Sequence, residues 1–256
     1  MIPRRIALFG TGSCLLCGCA GALHRLPAIN EAHLGLAQAE IASAARLERR
    51  QVSDEEAVAA LRRVRARLLS PAATVCQEIG AGVCKWEFRV RMAEPSPNAY
   101  ATGDGTIVVY RGIVDYSRND DELAFVLAHE IGHHAANHLR RTRQNAAVGA
   151  LIGAILLGGI AAVAGAHAGG GPLAQSITRD ATEIGLHAGA AIGRVSFSKE
   201  QEREADYVAA VILHRAGFDL QKARGFLVTL AQMSGRRETG LLDTHPAGPE
   251  RLAAYD

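Results

Sequence analysis

The spacing of apolar residues predicts that the first part of the chain is helical. Apolar side chains recur at helical intervals over residues 31–50. A second helix is predicted to begin after Ser53, because Ser53-Asp54-Glu55-Glu56 has the pattern of a capping box. We expect this helix to end at Ser70-Pro71, since proline disfavours helical backbone at the residue before it.

The pattern then changes to that of a small sheet. Residues 86–92 (WEFRVRM) alternate apolar and polar side chains, which predicts a strand with one buried face. Residues 98–111 place Gly103-Asp104-Gly105 between two β-prone runs and predict a hairpin. Helical spacing returns in three later stretches, at about 122–143, 199–216 and 219–234. The order of elements predicts an α+β fold that is mostly helical.

The N-terminus has the pattern of a bacterial export signal. Arg4 and Arg5 precede a short apolar run that ends at Leu16-Cys17-Gly18-Cys19, too short for a membrane-spanning helix. The run resembles a lipobox, which predicts a signal peptide over 1–18 and lipidation of Cys19; a plain signal peptide cut nearby is the alternative. Ala20 after Cys19 resembles the sorting signal for the outer membrane rather than the inner one.

This division predicts a tether and helix over 19–50 and one domain over 51–256. The formal net charge of the 256-residue chain is only +2, which gives no support to nucleic-acid binding. Of five cysteines, Cys76 and Cys84 remain unmodified after processing. In an oxidising compartment such a pair predicts a disulfide, and two buried free thiols are the alternative.

The strongest chemical motif is His129-Glu130-Ile131-Gly132-His133. On a helix, positions four apart lie about 40° from each other around the axis, so both imidazoles can reach one ion. Neutral imidazole is a good zinc ligand, and Glu130 is placed to take a proton from a water molecule that the metal activates. The breaker-free run from Glu122 supports the helix.

A catalytic zinc requires a third protein ligand, and the sequence offers several candidates. The metzincin extension is excluded, because it would require a glycine and a histidine where Ala136 and Leu139 stand. His134 and His138 lie on other faces of the helix and are predicted to face solvent or to support the ligands. Glu202 and Asp206 share one face of a later helix; spacing alone is equally typical of a solvated acidic face.

Three sequence blocks together resemble a known superfamily of zinc metallopeptidases. They are DELAFVLAHEIGHH at 121–134, FSKEQEREAD at 197–206, and Thr244-His245-Pro246 followed by Arg251. In this order they resemble the HtpX and CAAX-prenyl-protease superfamily, and its soluble periplasmic members in particular. The resemblance covers about residues 50–256 and implies a zincin-like domain that binds one zinc ion per chain.

The resemblance also assigns roles to individual residues. It implies that Glu202 is the third ligand, that Glu204 is not a ligand, and that Asp206 orients a ligating histidine. The segment Asn98, Ala99, Tyr100 and Ala101 resembles the strand beside the cleft that pairs with an extended substrate. Tyr207 and Arg251 are candidates for stabilising the oxyanion, and His24, His33, His187 and His214 are predicted to be incidental.

His245 lies in a proline-rich run, Asp243 to Pro249, that excludes a helix. The resemblance suggests that its imidazole occupies the fourth zinc position and keeps the enzyme latent. The alternative is a structural turn in which His245 bonds to backbone or to Asp243.

An apolar, glycine-rich segment at 146–171 includes 21 uncharged residues from Ala146 to Ala166. One membrane crossing there would separate the histidines from Glu202, and a second would bury charges such as Arg179 and Asp180 in hydrocarbon. We therefore predict a helix or helical hairpin over the cleft or at a bilayer surface, with a double span as the alternative.

Together these features predict a periplasmic, lipid-anchored zinc endopeptidase, attached to the outer membrane and acting on misfolded or stalled envelope proteins. The substrate class follows from the resemblance alone. The alternative is a latent or chaperone-like envelope lipoprotein with a mostly closed metal site. The sequence indicates no partner protein and no oligomeric state.

Overall fold

The structure is a computed structural model that describes residues 24–45, 48–144, 197–234 and 248–255, with isolated positions at 147, 154, 175, 179–180, 183 and 245. Within this part of the chain no helix is long and apolar enough to cross a membrane. The predicted signal peptide at 1–18 and the predicted lipidation of Cys19 lie outside the described residues. So does the predicted apolar segment at 146–171, of which only Ala147 and Ala154 are described. The remaining elements form a mostly helical α+β fold, as predicted.

Two helices precede the sheet. Helix α1 covers Glu31–Ser43, where Asn30 caps its N-terminus, and it is shorter than the predicted 31–50. Helix α2 covers Asp54–Ile79 and is capped by Ser53, as the sequence predicts. It ends at Gly80, whose φ of 67° places this residue in the left-handed region that glycine tolerates.

The predicted end of α2 at Pro71 is wrong, because the helix continues for two more turns. An internal proline costs about 3 kcal/mol through a lost hydrogen bond and a steric clash. The turns that follow it bury Ala72, Val75 and Cys76 against the core. Burying aliphatic side chains at about 25 cal/mol per Å² of apolar surface offsets that cost.

The sheet has three strands in the order β1-β3-β2. Strand β1 (Glu87–Arg91) runs parallel to β3 (Thr106–Tyr110), and β2 (Ala99–Ala101) pairs antiparallel with β3 in the predicted hairpin. The predicted buried face of β1 forms only in part: Phe88 is half-buried and Val90 is 38% exposed. β1 is an edge strand, so neighbours cover it on fewer sides than they cover β3.

Helix α3 covers Arg111–Tyr116, and α4 covers Asp120–Ala135. The single helix predicted over 122–143 is wrong, because the backbone leaves α4 at Ala136 and Asn137, where φ is 59° at Asn137, before residues 138–144 become helical again. This break changes the direction of the following residues and brings His138 beside His133.

The C-terminal region adds helices α5 (Lys199–Arg215), α6 (Leu220–Ala223), α7 (Gly225–Ser234) and α8 (Pro249–Tyr255). Ser198 and Gln201 form a complete capping box at the start of α5. Helices α4 and α5 cross closely at Gly132, where an added Cβ would lie 2.8 Å from the carbonyl oxygen of Ala205. This crossing places the first two sequence blocks of the motif side by side.

Candidate metal centre

Four buried side chains converge beside the contact of α4 with α5. His129 and His133 come from α4, Glu202 from α5, and His245 lies four residues before α8 along the chain; each offers one ligand atom within 4.8 Å of the others. The exposed fraction of each of these residues is 4% or less. The predicted third ligand, Glu202, therefore lies with the two histidines, 69 residues beyond His133 along the chain.

The ring atoms of the two α4 histidines point at one another. The Nε2 atoms of His129 and His133 lie 3.0 Å apart. One oxygen of Glu202 lies 3.4 Å from Nε2 of His129, and the other lies 3.4 Å from Nε2 of His133. Two nitrogen atoms and a carboxylate that face a common point are a donor set that zinc favours.

His245 lies in the same cluster. Its Nδ1 is 3.1 Å from Oε1 of Glu202 and 3.3 Å from Nε2 of His129. Its Nε2 is 3.4 Å from Oε1 of Glu130. Asp243, the partner in the alternative interpretation, lies outside the described residues.

Glu130 is fully buried beside this cluster. Within the described part of the chain, neither of its carboxylate oxygens nor Nε2 of His245 has a hydrogen-bond partner. Buried polar atoms are normally satisfied, and these atoms are ones that a bound ion or water would satisfy. Glu130, Glu202 and Asp206 also bring three buried carboxyl groups against one buried guanidinium, Arg251, and a divalent cation would offset this excess. The residues present therefore fit zinc.

Asp206 and Arg251 support the cluster from behind. Oδ1 of Asp206 lies 2.9 Å from Nδ1 of His129, which leaves Nε2 of this ring for an ion. Arg251 donates to both oxygens of Asp206, at 2.7 and 2.8 Å, and its Nη1 lies 2.8 Å from Oε2 of Glu202. Arg251, a candidate oxyanion group from sequence, is thus engaged by the two carboxylates, and the other candidate, Tyr207, is 47% exposed.

These contacts set the protonation of the cluster. Burial opposes the charging of His129, but its bonds to Asp206 and Glu202 outweigh burial and raise its pKa to about 9. Burial dominates at His133 and holds its pKa well below the usual range. Burial would raise the pKa of Glu202, but His245 and Arg251 lower it well below its ordinary value. Glu202 is therefore held as a carboxylate, the form that binds a cation.

The two other histidines of the motif region are buried, which contradicts the solvent-facing alternative of their prediction. His134 places Nε2 2.6 Å from the carbonyl oxygen of Thr102 and so holds the hairpin against α4. His138 contacts both His133 and Glu204, as a supporting residue does. Spacing could not show this, because the turn at Asn137 rotates His138 out of the helical register of α4.

Sequence reasoning also missed a role for Glu204 and His24. Glu204 is fully buried and bonds His138 with one oxygen and His24 with the other. A solvated carboxylate is the usual expectation for such a residue in an acidic helix. The residue types alone carry no signal for this contact, since His24 lies 180 residues before Glu204.

The remaining site predictions concern the sheet edge and the cysteines. Ala99 is buried, Tyr100 and Ala101 are half-buried in β2, and Asn98 accepts the N–H of Tyr110 on its carbonyl at 2.8 Å. Within the described part of the chain β2 pairs only with β3. Cys76 and Cys84 form the predicted disulfide, with Cα atoms 5.5 Å apart.

Comparison with known proteins gives matches that cover more than half of the chain. The family described as "Peptidase family M48" matches residues 62–256. The chain is 37% identical over 165 residues to the beta-barrel assembly-enhancing protease of Escherichia coli (strain K12) and 30% identical over 163 residues to the putative beta-barrel assembly-enhancing protease of Vibrio cholerae. It is 30% identical over 176 residues to the mitochondrial metalloendopeptidase OMA1 of Saccharomyces cerevisiae.

The matched segments are 60–66% of this chain. They are 31% of each of the two bacterial relatives and 45% of the yeast relative, so the chain spans less than half the length of these proteins.

Proposed function

The chain belongs to peptidase family M48, and from this premise we propose that it is a zinc endopeptidase of the bacterial cell envelope that hydrolyses misfolded or stalled envelope proteins. Membership confirms three predictions: the superfamily, the metallopeptidase activity, and zinc as the cofactor. The observation that carries the proposal is the buried convergence of His129, His133 and Glu202 beside Glu130, whose carboxylate oxygens accept no hydrogen bond from the described residues.

The residues of the site suit peptide hydrolysis. His129, His133 and Glu202 would hold zinc, which supplies the Lewis acidity that activates water and polarises a peptide carbonyl. Glu130 lies beside the ligands, and its carboxylate accepts the proton from the attacking water. The same carboxyl group then donates this proton to the leaving amine, so that one side chain serves both halves of the reaction.

We place the substrate along β2. The outer edge of this strand has no partner strand within the described residues, and an extended peptide can add to such an edge through backbone hydrogen bonds. His134 holds the hairpin loop at Thr102 against α4, one residue from His133. A peptide bound from Asn98 to Ala101 would therefore be aligned by the same hairpin that contacts the catalytic helix.

The envelope location rests on two supports. The N-terminal pattern that ends at Cys19 is typical of exported lipoproteins, and anchoring there would place the domain at the periplasmic face of the outer membrane. The names of the Escherichia coli and Vibrio cholerae relatives refer to beta-barrel assembly, which fits protein substrates in the envelope. The yeast relative is mitochondrial, so the family alone does not decide the compartment.

We also propose that His245 is a fourth ligand that keeps the enzyme latent. Its imidazole approaches Glu202 and His129 within 3.3 Å, where it would take the position that water requires. The alternative function, a chaperone-like lipoprotein with a closed site, would share this geometry but would lack turnover.

Zinc content and casein cleavage of the purified mature protein test the proposed function. We expect about one zinc per chain and measurable cleavage by the wild type, and Glu202→Gln should lose most of the zinc because it removes a ligand charge. Glu200→Gln is the matched control, since Glu200 is exposed on the same helix. Zinc without any cleavage would support the chaperone-like alternative, and absence of zinc from the wild type would contradict both functions.

A further inference from the structure

A chain of hydrogen bonds runs from the metal centre to the N-terminal segment. Nδ1 of His133 lies 3.0 Å from Nδ1 of His138, and Nε2 of His138 lies 3.0 Å from Oε2 of Glu204. These three residues are fully buried. The bonds continue on the far side of Glu204, where Oε1 accepts from the backbone N–H of His24 at 2.8 Å and lies 2.6 Å from Nδ1 of the same residue.

The protons of this chain can be assigned in only one way when Nε2 of His133 faces an ion. The proton of His133 must then be on Nδ1, which donates to Nδ1 of His138. His138 accepts at Nδ1 and therefore carries its own proton on Nε2, which donates to Glu204. Glu204 accepts from Nε2 of His138, so its charge holds His133, through His138, in the tautomer that binds metal.

Glu204 has its own fixed position because the N-terminal segment contacts helix α5 at several points. Arg203 donates to the carbonyl of Pro27 at 2.5 Å, and the ring of His24 lies 5.8 Å from that of Tyr207. The side chain of His24 is 34% exposed, whereas Glu204 is completely covered. His24 is thus the surface end of a chain whose other members are inaccessible to solvent.

We propose that His24 is a positioning residue of the metal centre, which fixes Glu204 and through His138 sets the orientation of His133. This proposal rests on the proposed function, because it takes the bound ion to be zinc. Removal of the His24 side chain takes the 2.6 Å contact away from Oε1 of Glu204, while Arg141 remains 3.5 Å from Oε2. The position of the carboxylate is then less fixed, and so is the common alignment of His138 and His133. The segment at 24–30 therefore helps to position the metal ligands.

The zinc dissociation constant, measured on the full mature chain by competition with a chelator, tests this inference. Loss of a supporting residue typically weakens metal affinity by about 10–100-fold, and we expect that range for Glu204→Gln. His24→Ala acts one residue further away, so we expect a weakening of about 3–10-fold. His24→Asn should restore the affinity to within about twofold, because the amide nitrogen of asparagine occupies a place similar to that of Nδ1.

His33→Ala is the matched control, since His33 is a half-buried histidine of the same N-terminal region that lies within helix α1. The visible absorption of the Co²⁺-substituted protein gives a second measurement, and its band positions should shift in His24→Ala and not in His33→Ala. Melting temperatures are recorded for each variant, because a general loss of stability would not be reversed selectively by asparagine.

The outcomes separate this inference from the proposed function. If the wild type binds zinc and His24→Ala matches His33→Ala in affinity and spectrum, the inference is wrong and the proposed function stands. If His24→Ala weakens binding but His24→Asn is equally weak, the hydrogen bond is not the cause and the inference is also wrong. If the wild type binds no zinc, both fail.

Discussion

Among single residues, Glu130 lies beside the four proposed metal ligands, but the role that we propose for it is different from theirs. The proposed ligands are recognised because their nitrogen and oxygen atoms converge on one point. Glu130 is recognised by two buried oxygens that have no hydrogen-bond partner in the described chain. A group of this kind can be changed without removing a ligand. His245 shares the cluster and adds a second group whose removal should leave three ligands in place.

Glu130→Gln should abolish peptidase activity and retain zinc. The amide cannot accept the proton from water, and general-base catalysis contributes about 100- to 10,000-fold to rate. We expect the rate of casein cleavage to fall at least 100-fold with about one zinc per chain still present. Glu200→Gln serves as the exposed control. If the variant retains more than a few per cent of the activity, Glu130 is not the general base.

His245→Ala should raise proteolysis, including self-cleavage, while zinc remains bound. If the wild type is closed by this imidazole, an open state populated at about 10% or less would become dominant, and activity would rise about 10-fold or more. Activity and zinc content are measured together with the melting temperature. Unchanged activity at a normal melting temperature would exclude the latent state, and reduced activity would instead indicate that His245 supports the transition state.

Among the secondary-structure elements, the crossing of α4 and α5 sets the positions of the proposed ligands. His129 and His133 occupy one helix and Glu202 the other, so the distance between the ligands depends on how closely the two backbones approach. Gly132 lies where the two backbones approach closely, and it has no side chain to separate them. The motif glycine therefore has a packing role that its sequence position alone does not reveal.

Gly132→Ala should destabilise the protein by about 1–3 kcal/mol, the range for adding a methyl group to a packed core. The new Cβ would lie 2.8 Å from the carbonyl oxygen and 3.1 Å from Cα of Ala205, so the helices must separate and zinc affinity should fall with stability. Gly35→Ala in α1 is the control. Apart from its chain neighbours and the backbone of its own helix, no described heavy atom lies within 4 Å of its added Cβ. Replacing a helical glycine there should stabilise the protein by about 0.5–1 kcal/mol.

Chemical denaturation of the two glycine variants measures both effects. Similar stability changes in Gly132→Ala and Gly35→Ala would contradict the close crossing of α4 and α5.

In the whole molecule, the Cys76–Cys84 disulfide closes a short loop between α2 and the sheet. It joins the end of α2 to the segment that leads to β1, and this loop packs against α4. The N–H of Val83 donates to the carbonyl of His134 at 3.3 Å, and Gly82 has no space for a Cβ beside that carbonyl. The loop thus holds the C-terminal end of α4, next to His133.

Replacing both cysteines with serine should lower the free energy of unfolding by about 2.5 kcal/mol, the chain-entropy value for a loop of this length. Thiol labelling of protein from the periplasm, before and after reduction, checks that the bond forms, and full labelling without reductant would contradict it. Denaturation of the double variant then measures the energy. Because the loop contacts α4, we also expect zinc affinity to fall in the double variant more than in His33→Ala.

Local sequence determined much of this protein. Ser53, Asn119 and Ser198 cap the helices that the pattern predicts, because a cap depends only on the three or four residues that follow it. The hairpin around Gly103-Asp104-Gly105 and the pairing of His129 with His133 are local in the same sense, since turn geometry and the helical repeat fix them. Spacing also placed Asp206 on the same face as Glu202.

The tertiary structure decided the rest, because each remaining contact joins residues far apart in the chain. Because α5 packs against α4, Glu202 faces His129 and His133. The same packing directs Glu204 towards His138 instead. Core burial kept Pro71 inside a helix against its local preference. The bond between His24 and Glu204 spans 180 residues, and no periodicity can encode it, since it exists only where the folded N-terminal segment passes over helix α5.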